Sequence, residues 1–159
     1  MQEDTRDGPD LTGKGPVLVA VDFSADSREA VLWASHEAAR WKRPLTILHV
    51  VHDPAASPGF YREIKETLPR PMADVARDMM DDFIKAMRAD HPELGALGDA
   101  EVKLVIGLPA GRIVEVAAQI DTPLIVIGSR GLTGLPHILI GSVAERVVQL
   151  APVPVVVVK

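Results

Sequence analysis

Short apolar runs alternate with longer stretches of helical period along this chain. Residues 16–21 are apolar at nearly every position, the mark of a central parallel strand covered on both faces. Over residues 27–41, Ala30, Ala34 and Ala38 recur every four positions beside Val31, which predicts a helix with Ser24, Asp26 or Ser27 as its N-cap. A second strand is expected over residues 45–51. Residues 52–71 are irregular and proline-bearing and read as a long loop. A second helix follows over residues 71–89, with Met72, Val75, Met79, Phe83 and Met87 as its buried stripe. Over residues 100–106, Glu101 and Lys103 alternate with Val102 and Leu104, a third strand at an edge with one wet face. Gly107, Leu108 and Pro109 turn the chain into a third helix, residues 110–119, with Ile113, Val116 and Ala117 facing inward. Residues 124–127 form a fourth strand, a fourth helix starts at Ser142, and Pro152 and Pro154 end it. Val155–Val158 is a fifth strand. Strand and helix thus alternate four times before a last strand. With right-handed crossovers this makes a doubly wound five-stranded parallel sheet. A ligand then sits beyond the carboxyl ends of the strands, where the winding reverses.

Between the fourth strand and the fourth helix lies the segment richest in chemistry. Gly128 and Gly131 stand three apart, nine residues follow, and Gly141 and Ser142 close the segment at the helix entrance. Glycine adopts positive φ and lets a backbone approach a ligand closely, and the first N–H groups of a helix point at an anion. Gly128 and Gly131 can adopt positive φ and leave room for a phosphate above the fourth strand. Ser142 can cap the helix or present its hydroxyl to a terminal phosphate. The partly apolar stretch from Leu132 to Ile140 is expected to fold over something. A lone Gly-x-x-Gly is often an ordinary strand-to-helix loop; the full spacing in this context is far more specific. Rival phosphate motifs are missing: no Gly-x-x-x-x-Gly-Lys-Ser/Thr, no lysine in the loop, and no Gly-x-Gly-x-x-Gly after the first strand. Arg130 and His137 supply the side-chain charge, a modest apparatus for chemistry at a γ-phosphate.

The 159 residues suffice for one domain with a real core. A net charge of -5 without Lys/Arg clusters gives no electrostatic footing for nucleic acid or an anionic membrane. Cysteine is absent from the sequence, which excludes disulfides and thiol catalysis. No apolar run approaches the roughly 20 residues that span a bilayer. Residues 1–14 are polar without an apolar core and read as a mobile tail rather than a secretory signal, and a cytoplasmic location is expected. His49 and His52 lack an evident third ligand, so no metal site is expected on the protein itself. Trp33 and Trp41 read as packing residues, and Asp81, Asp82 and Asp90 as a solvated helix face. Asp22, in the turn after the first strand, suits either of two tasks: accepting backbone N–H groups of its own turn, or meeting a nucleotide.

The chain resembles the universal stress protein family of the single-domain, ATP-binding type. The resemblance spans residues 15–159. It rests on the strand-one ending Ala20-Val-Asp-Phe-Ser24, the strand-two ending Leu48-His-Val50, the Gly107-Leu-Pro109 turn, the complete Gly-x2-Gly-x9-Gly-Ser signature and the valine-rich last strand. It implies a Rossmann-like fold of the adenine-nucleotide alpha-hydrolase type, with strand order 3-2-1-4-5 and ATP across the ends of strands one and four. Ala20 and Val21 would wall the base, Asp22 would approach the ribose or adenine, and Val50 would offer backbone contacts to the adenine. Ile127 and Gly128 would lie along the ribose and phosphates. Arg130, Gly131, Gly141, Ser142, Val143 and Ala144 would surround the triphosphate, with Mg2+ or Mn2+ bound through the phosphates. The resemblance also implies a homodimer through Val155, Val156, Val157 and Val158, acting as a nucleotide-dependent regulatory or binding module in stress response. The alternatives are a slow ATPase or adenylate-handling enzyme of similar fold, and a regulatory dimer that binds AMP or a cyclic nucleotide. Against an adenylate-forming transferase, the chain has no His-x-Gly-His, and no Ser-Gly-Gly-x-Asp-Ser loop follows strand one.

Overall fold

A computed structural model describes residues 13–52, 71–132, 136–137 and 139–159. The expected 52–71 loop thus lies almost wholly outside the described residues, as do residues 1–12 of the expected tail. Gly13 and Lys14 belong to the folded body instead. The Lys14 N–H donates to Asp121 Oδ2 at 2.8 Å, and the Gly15 N–H donates to the Asp121 carbonyl at 2.8 Å.

The elements follow in the expected alternation: β1 (Val17–Ala20), α1 (Ala25–Arg40), β2 (Leu45–His52), α2 (Met72–Asp90), a single helical turn α3 (Gly95–Gly98), β3 (Glu101–Gly107), α4 (Pro109–Gln119), β4 (Ile125–Gly128), α5 (Ser142–Leu150) and β5 (Val155–Val158). The sheet is wholly parallel, in the order β3-β2-β1-β4-β5. β1 lies at its centre and is buried at every position, because helices cover both faces. On one face Val17, Val19, Ile47 and Val126 pack with α1 and α2. On the other, Leu18, Leu48, Ile125 and Ile127 pack with α4 and α5. The side-chain alternation of a strand divides each run between two cores. The half-buried Trp33 and Trp41 pack against the first of them.

α1 starts two residues before the expected point, since Ser24 is its N-cap and accepts from the Ser27 N–H at 3.2 Å. The short turn α3 was not foreseen. It inserts Leu97, fully buried, into the core beside α1.

The buried face of α2 differs from the expected stripe. Ala76, Met80, Phe83, Ile84 and Met87 face the sheet, while Met72, Val75 and Met79 are exposed. At about 100° per residue, Met79 lies a quarter-turn or more from Met80, and Val75 still further round. Apolar residues occupy two columns of this helix, and contact with the sheet selects one. Met80→Ala should therefore cost about 2–5 kcal/mol through its cavity, whereas Met79→Ala should stay within about 0.5 kcal/mol of the parent. Urea unfolding of both variants checks this; equal losses would mean that the helix face is misassigned.

Candidate nucleotide-binding cleft

β1 continues through α1 on one face of the sheet, and β4 continues through α5 on the other. The two strands are neighbours, so their carboxyl ends part around a crevice. A cleft of about 370 Å3 opens there.

All twelve residues expected at the site line this one cleft. Ala20, Val21 and Asp22 come from the end of β1, and Ile127 and Gly128 from the end of β4. Arg130 and Gly131 follow in the loop. Gly141, Ser142, Val143 and Ala144 form the start of α5. Val50 closes the β2 side. The Val21 N–H donates to the Leu48 carbonyl at 2.8 Å, so Leu48 turns its backbone groups toward β1. Val50, two residues on, has the same orientation but lies beyond the end of β1, and its backbone groups face the cleft.

The glycine loop is held from below by the first turn of α1. Asp26, a buried carboxylate, accepts from Ser129 Oγ at 2.8 Å and from the Arg130 N–H at 3.1 Å. The Arg130 guanidinium lies on the same carboxylate, with Nε 3.2 Å from Oδ2 and Nη2 3.4 Å from Oδ1. Ser24 Oγ donates to the Arg130 carbonyl at 3.3 Å. A Cβ on Gly128 would stand 2.9 Å from the Asp26 backbone carbon. Room, rather than conformation, demands glycine there. Among the described residues the single glycine at positive φ is Gly107, so Gly128 and Gly131 do not use the positive φ open to them. The strand runs straight into the loop without the reversal that would need it.

At the α5 entrance the N-cap is Gly141, and no side chain caps the helix. The Gly141 N–H is taken by the Ser129 carbonyl at 2.5 Å. Ser142 is thus the first helical residue and its hydroxyl is not spent on capping. The N–H groups of Ser142, Val143 and Ala144 have no intrahelical acceptor and stand at the cleft, a ready anion site. The described apolar residues of the intervening segment do not fold inward: Leu132 and Leu139 are 69% and 76% exposed.

Asp22 does the first of its two expected tasks, holding its own turn, and lines the cleft. Its Oδ1 accepts from the Ser24 N–H at 3.0 Å and from Ser27 Oγ at 2.6 Å. Its Oδ2 lies beside Gly131, within 2.9 Å of where a Cβ would be. Phe23, between Asp22 and Ser24, has φ of 68°. That conformation costs a bulky residue about 1–3 kcal/mol. Stacking on His49 at 4.4 Å and an edge contact with Phe83 at 5.7 Å offset it. His49 Nδ1 donates to the Val21 carbonyl at 2.8 Å. Among the described residues no three ligating side chains gather into a metal site, and no helix is long and apolar enough to cross a membrane.

Sequence reasoning missed Ser27, Leu48, His49, Pro109, Ile113 and Ser129 of the lining, and Asp26 beneath the loop. Asp26 was considered only as a helix cap, and no local spacing links it to a loop more than 100 residues away.

A doubly wound sheet with a crevice at its switch point is a Rossmann-like α/β fold. The family model described as Universal stress protein family matches residues 15–159, and the chain belongs to that family. It is 30% identical over 144 residues to universal stress protein YxiE of Bacillus subtilis, covering 90% of this chain and 97% of that one. It is 32% identical over 154 residues to universal stress protein MJ0531 of Methanocaldococcus jannaschii, covering 97% and 86%. Among solved structures, UspA from Lactobacillus plantarum superposes with a TM-score of 0.71 at 25% identity, over 91% of this chain and 97% of that one. A universal stress protein from Archaeoglobus fulgidus in complex with dAMP superposes at 0.62 and 26% identity, over 91% and 98%. A further solved universal stress protein, in complex with cAMP, superposes at 0.61 and 26% identity, over 91% of this chain and 97% of that one.

The Arg130 guanidinium, and with it the Ser129 hydroxyl, holds the Asp26 carboxyl below its ordinary value, against the opposing effect of burial. A folded pKa that is depressed contributes stability above the unfolded value, and that stability is lost as pH falls through the folded one. The Tm advantage of the parent over Asp26→Asn should therefore be full at neutral pH and shrink as the pH drops below 3.8. An advantage unchanged from pH 7 down to about pH 3 would show that the charge on Asp26 is not what stabilises the loop.

Proposed function

We propose that this chain is a cytoplasmic, ATP-binding regulatory module of the stress response, one that changes conformation or partner when nucleotide fills the cleft. The observation that carries this reading is the convergence on one crevice of Gly128, Gly131, Gly141 and Ser142 of the Gly-x2-Gly-x9-Gly-Ser signature, the uncapped start of α5 and the cleft-facing backbone of Val50. Ala20 and Val21 wall the base, Val50 meets the adenine edge through its backbone, and Asp22 approaches the ribose. Ile127 and Gly128 run beneath the ribose and first phosphate. Arg130, Gly131, Gly141, Ser142, Val143 and Ala144 border the remaining phosphates. A Mg2+ or Mn2+ ion would arrive on the phosphates, and Asp22 Oδ2 is the kind of hard oxygen that suits it. A second reading, a regulatory dimer taking AMP or a cyclic nucleotide, is favoured by the dAMP and the cAMP named for two solved universal stress proteins.

Calorimetry with ATP, AMP and cAMP decides between the two. ATP should bind in the micromolar range, and Gly141→Val should abolish binding. In the folded protein a Cβ at Gly141 is no closer than 3.4 Å to Ser129 O, so the fold should tolerate the change while the phosphates lose their room. Gly131→Val should do the same, with some added strain against Asp22. ATP affinity unchanged in both variants would remove the core of this proposal.

The module is also proposed to be a homodimer through β5. That strand is a sheet edge, and all four valines are only half-buried. No charge blunts it before Lys159. Pairing of two such edges across a two-fold axis would cover them. Val156→Pro removes a strand donor at the seam and should give a monomer or an aggregate. Sedimentation of the parent as a monomer at about tens of micromolar would sink the dimer and leave the nucleotide reading intact.

A further inference from the structure

Arg130 is the one lysine or arginine among the described residues lining the cleft, and two carboxylates flank it, Asp22 in the lining and Asp26 beneath the loop. Its guanidinium already spans both oxygens of Asp26. Asp26 also accepts from the Arg130 N–H and from Ser129 Oγ, at the point where the backbone must expose its donors to an anion. Its side chain is only 10% exposed, so solvent screens it weakly. A buried carboxylate under a phosphate loop repels the ligand unless a cation neutralises it.

We propose that Asp26 is the positioning residue of the phosphate loop and that Arg130 serves the ligand indirectly, by neutralising Asp26 rather than by gripping a phosphate. This deepens the nucleotide-binding reading and rests on it. The phosphates are then held by backbone N–H groups and the start of α5. Asp26 keeps the Ser129–Arg130 backbone in place through its hydrogen bonds, and Arg130 cancels the charge that this task brings with it.

The test is a double-mutant cycle on the full chain with Arg130→Gln, Asp26→Asn and the two combined, probed with ATP and with adenosine. Arg130→Gln strands the Asp26 charge, and ATP affinity should fall about tenfold. Adding Asp26→Asn removes that charge while keeping an amide oxygen for Ser129 and the Arg130 N–H, and affinity should return to within about threefold of the parent. Adenosine, which has no phosphate, should shift less than about twofold throughout; a merely structural role would move both ligands together. A double variant as weak toward ATP as Arg130→Gln would overturn the proposal, since Arg130 would then hold phosphate directly.

Thermal unfolding of the same proteins without nucleotide supplies a second arm. The double variant should melt above Arg130→Gln alone, because the uncompensated carboxylate is gone. No such recovery overturns the proposal even where nucleotide binds. Recovery in the melts, together with a parent chain that fails to bind ATP, would count against the nucleotide reading and not against the pairing.

Discussion

The first turn of α1 approaches the end of β4 so closely that only a hydrogen atom fits between them at Gly128. The cleft depends on that contact. It brings Asp26 under the glycine loop, so that one carboxylate orders Ser129 and Arg130, and it lets Ser24 serve both as the cap of α1 and as a donor to the Arg130 carbonyl. The contact exists because β1 and β4 are neighbours whose following helices leave to opposite faces. The helix after β1 must then cross the mouth of β4. Sheet topology and the floor of the cleft are therefore one constraint.

The same contact shapes the electrostatics. The cleft holds Asp22 and Asp26 near its loop, and the one arginine among the described residues lining it is tied to Asp26. Positive potential comes instead from backbone dipoles at the start of α5, where Ser142, Val143 and Ala144 lack intrahelical acceptors. Such donors are fixed in direction and carry no side-chain entropy to lose, which suits recognition better than turnover. The strained backbone at Phe23 fits this picture. It turns the chain sharply after Asp22 so that one carboxylate oxygen is spent on the turn and the other is left beside Gly131.

The two edges of the sheet are unlike. β3 carries Glu101 and Lys103, paired at 2.8 Å, on its outer strand, and this charge discourages pairing with another chain. β5 presents four valines and nothing comparable. Among the described residues one edge of the sheet is thus charged and the other apolar.

The amino-acid sequence by itself determined the alternation of strands and helices, the burial of β1 on both faces, the edge position of β3 and the loop between β4 and α5. These follow from local properties: side-chain period, chain direction, and glycine or proline at element ends. The resemblance to a known family supplied the strand order and the twelve cleft residues, which the fold then gathered around one crevice. Only the tertiary structure decided which of two apolar columns of α2 is buried, because Met79 and Met80 are equal in sequence and differ only in what they meet. Only the tertiary structure showed that Gly128 needs room rather than positive φ, and that Gly141 rather than Ser142 caps α5. The partnership of Asp26 with Ser129 and Arg130 was invisible for the same reason. Its members lie more than 100 residues apart, and a hydrogen bond across that separation leaves no periodicity or spacing along the chain; it comes into being when two helices pass on opposite sides of adjacent strands.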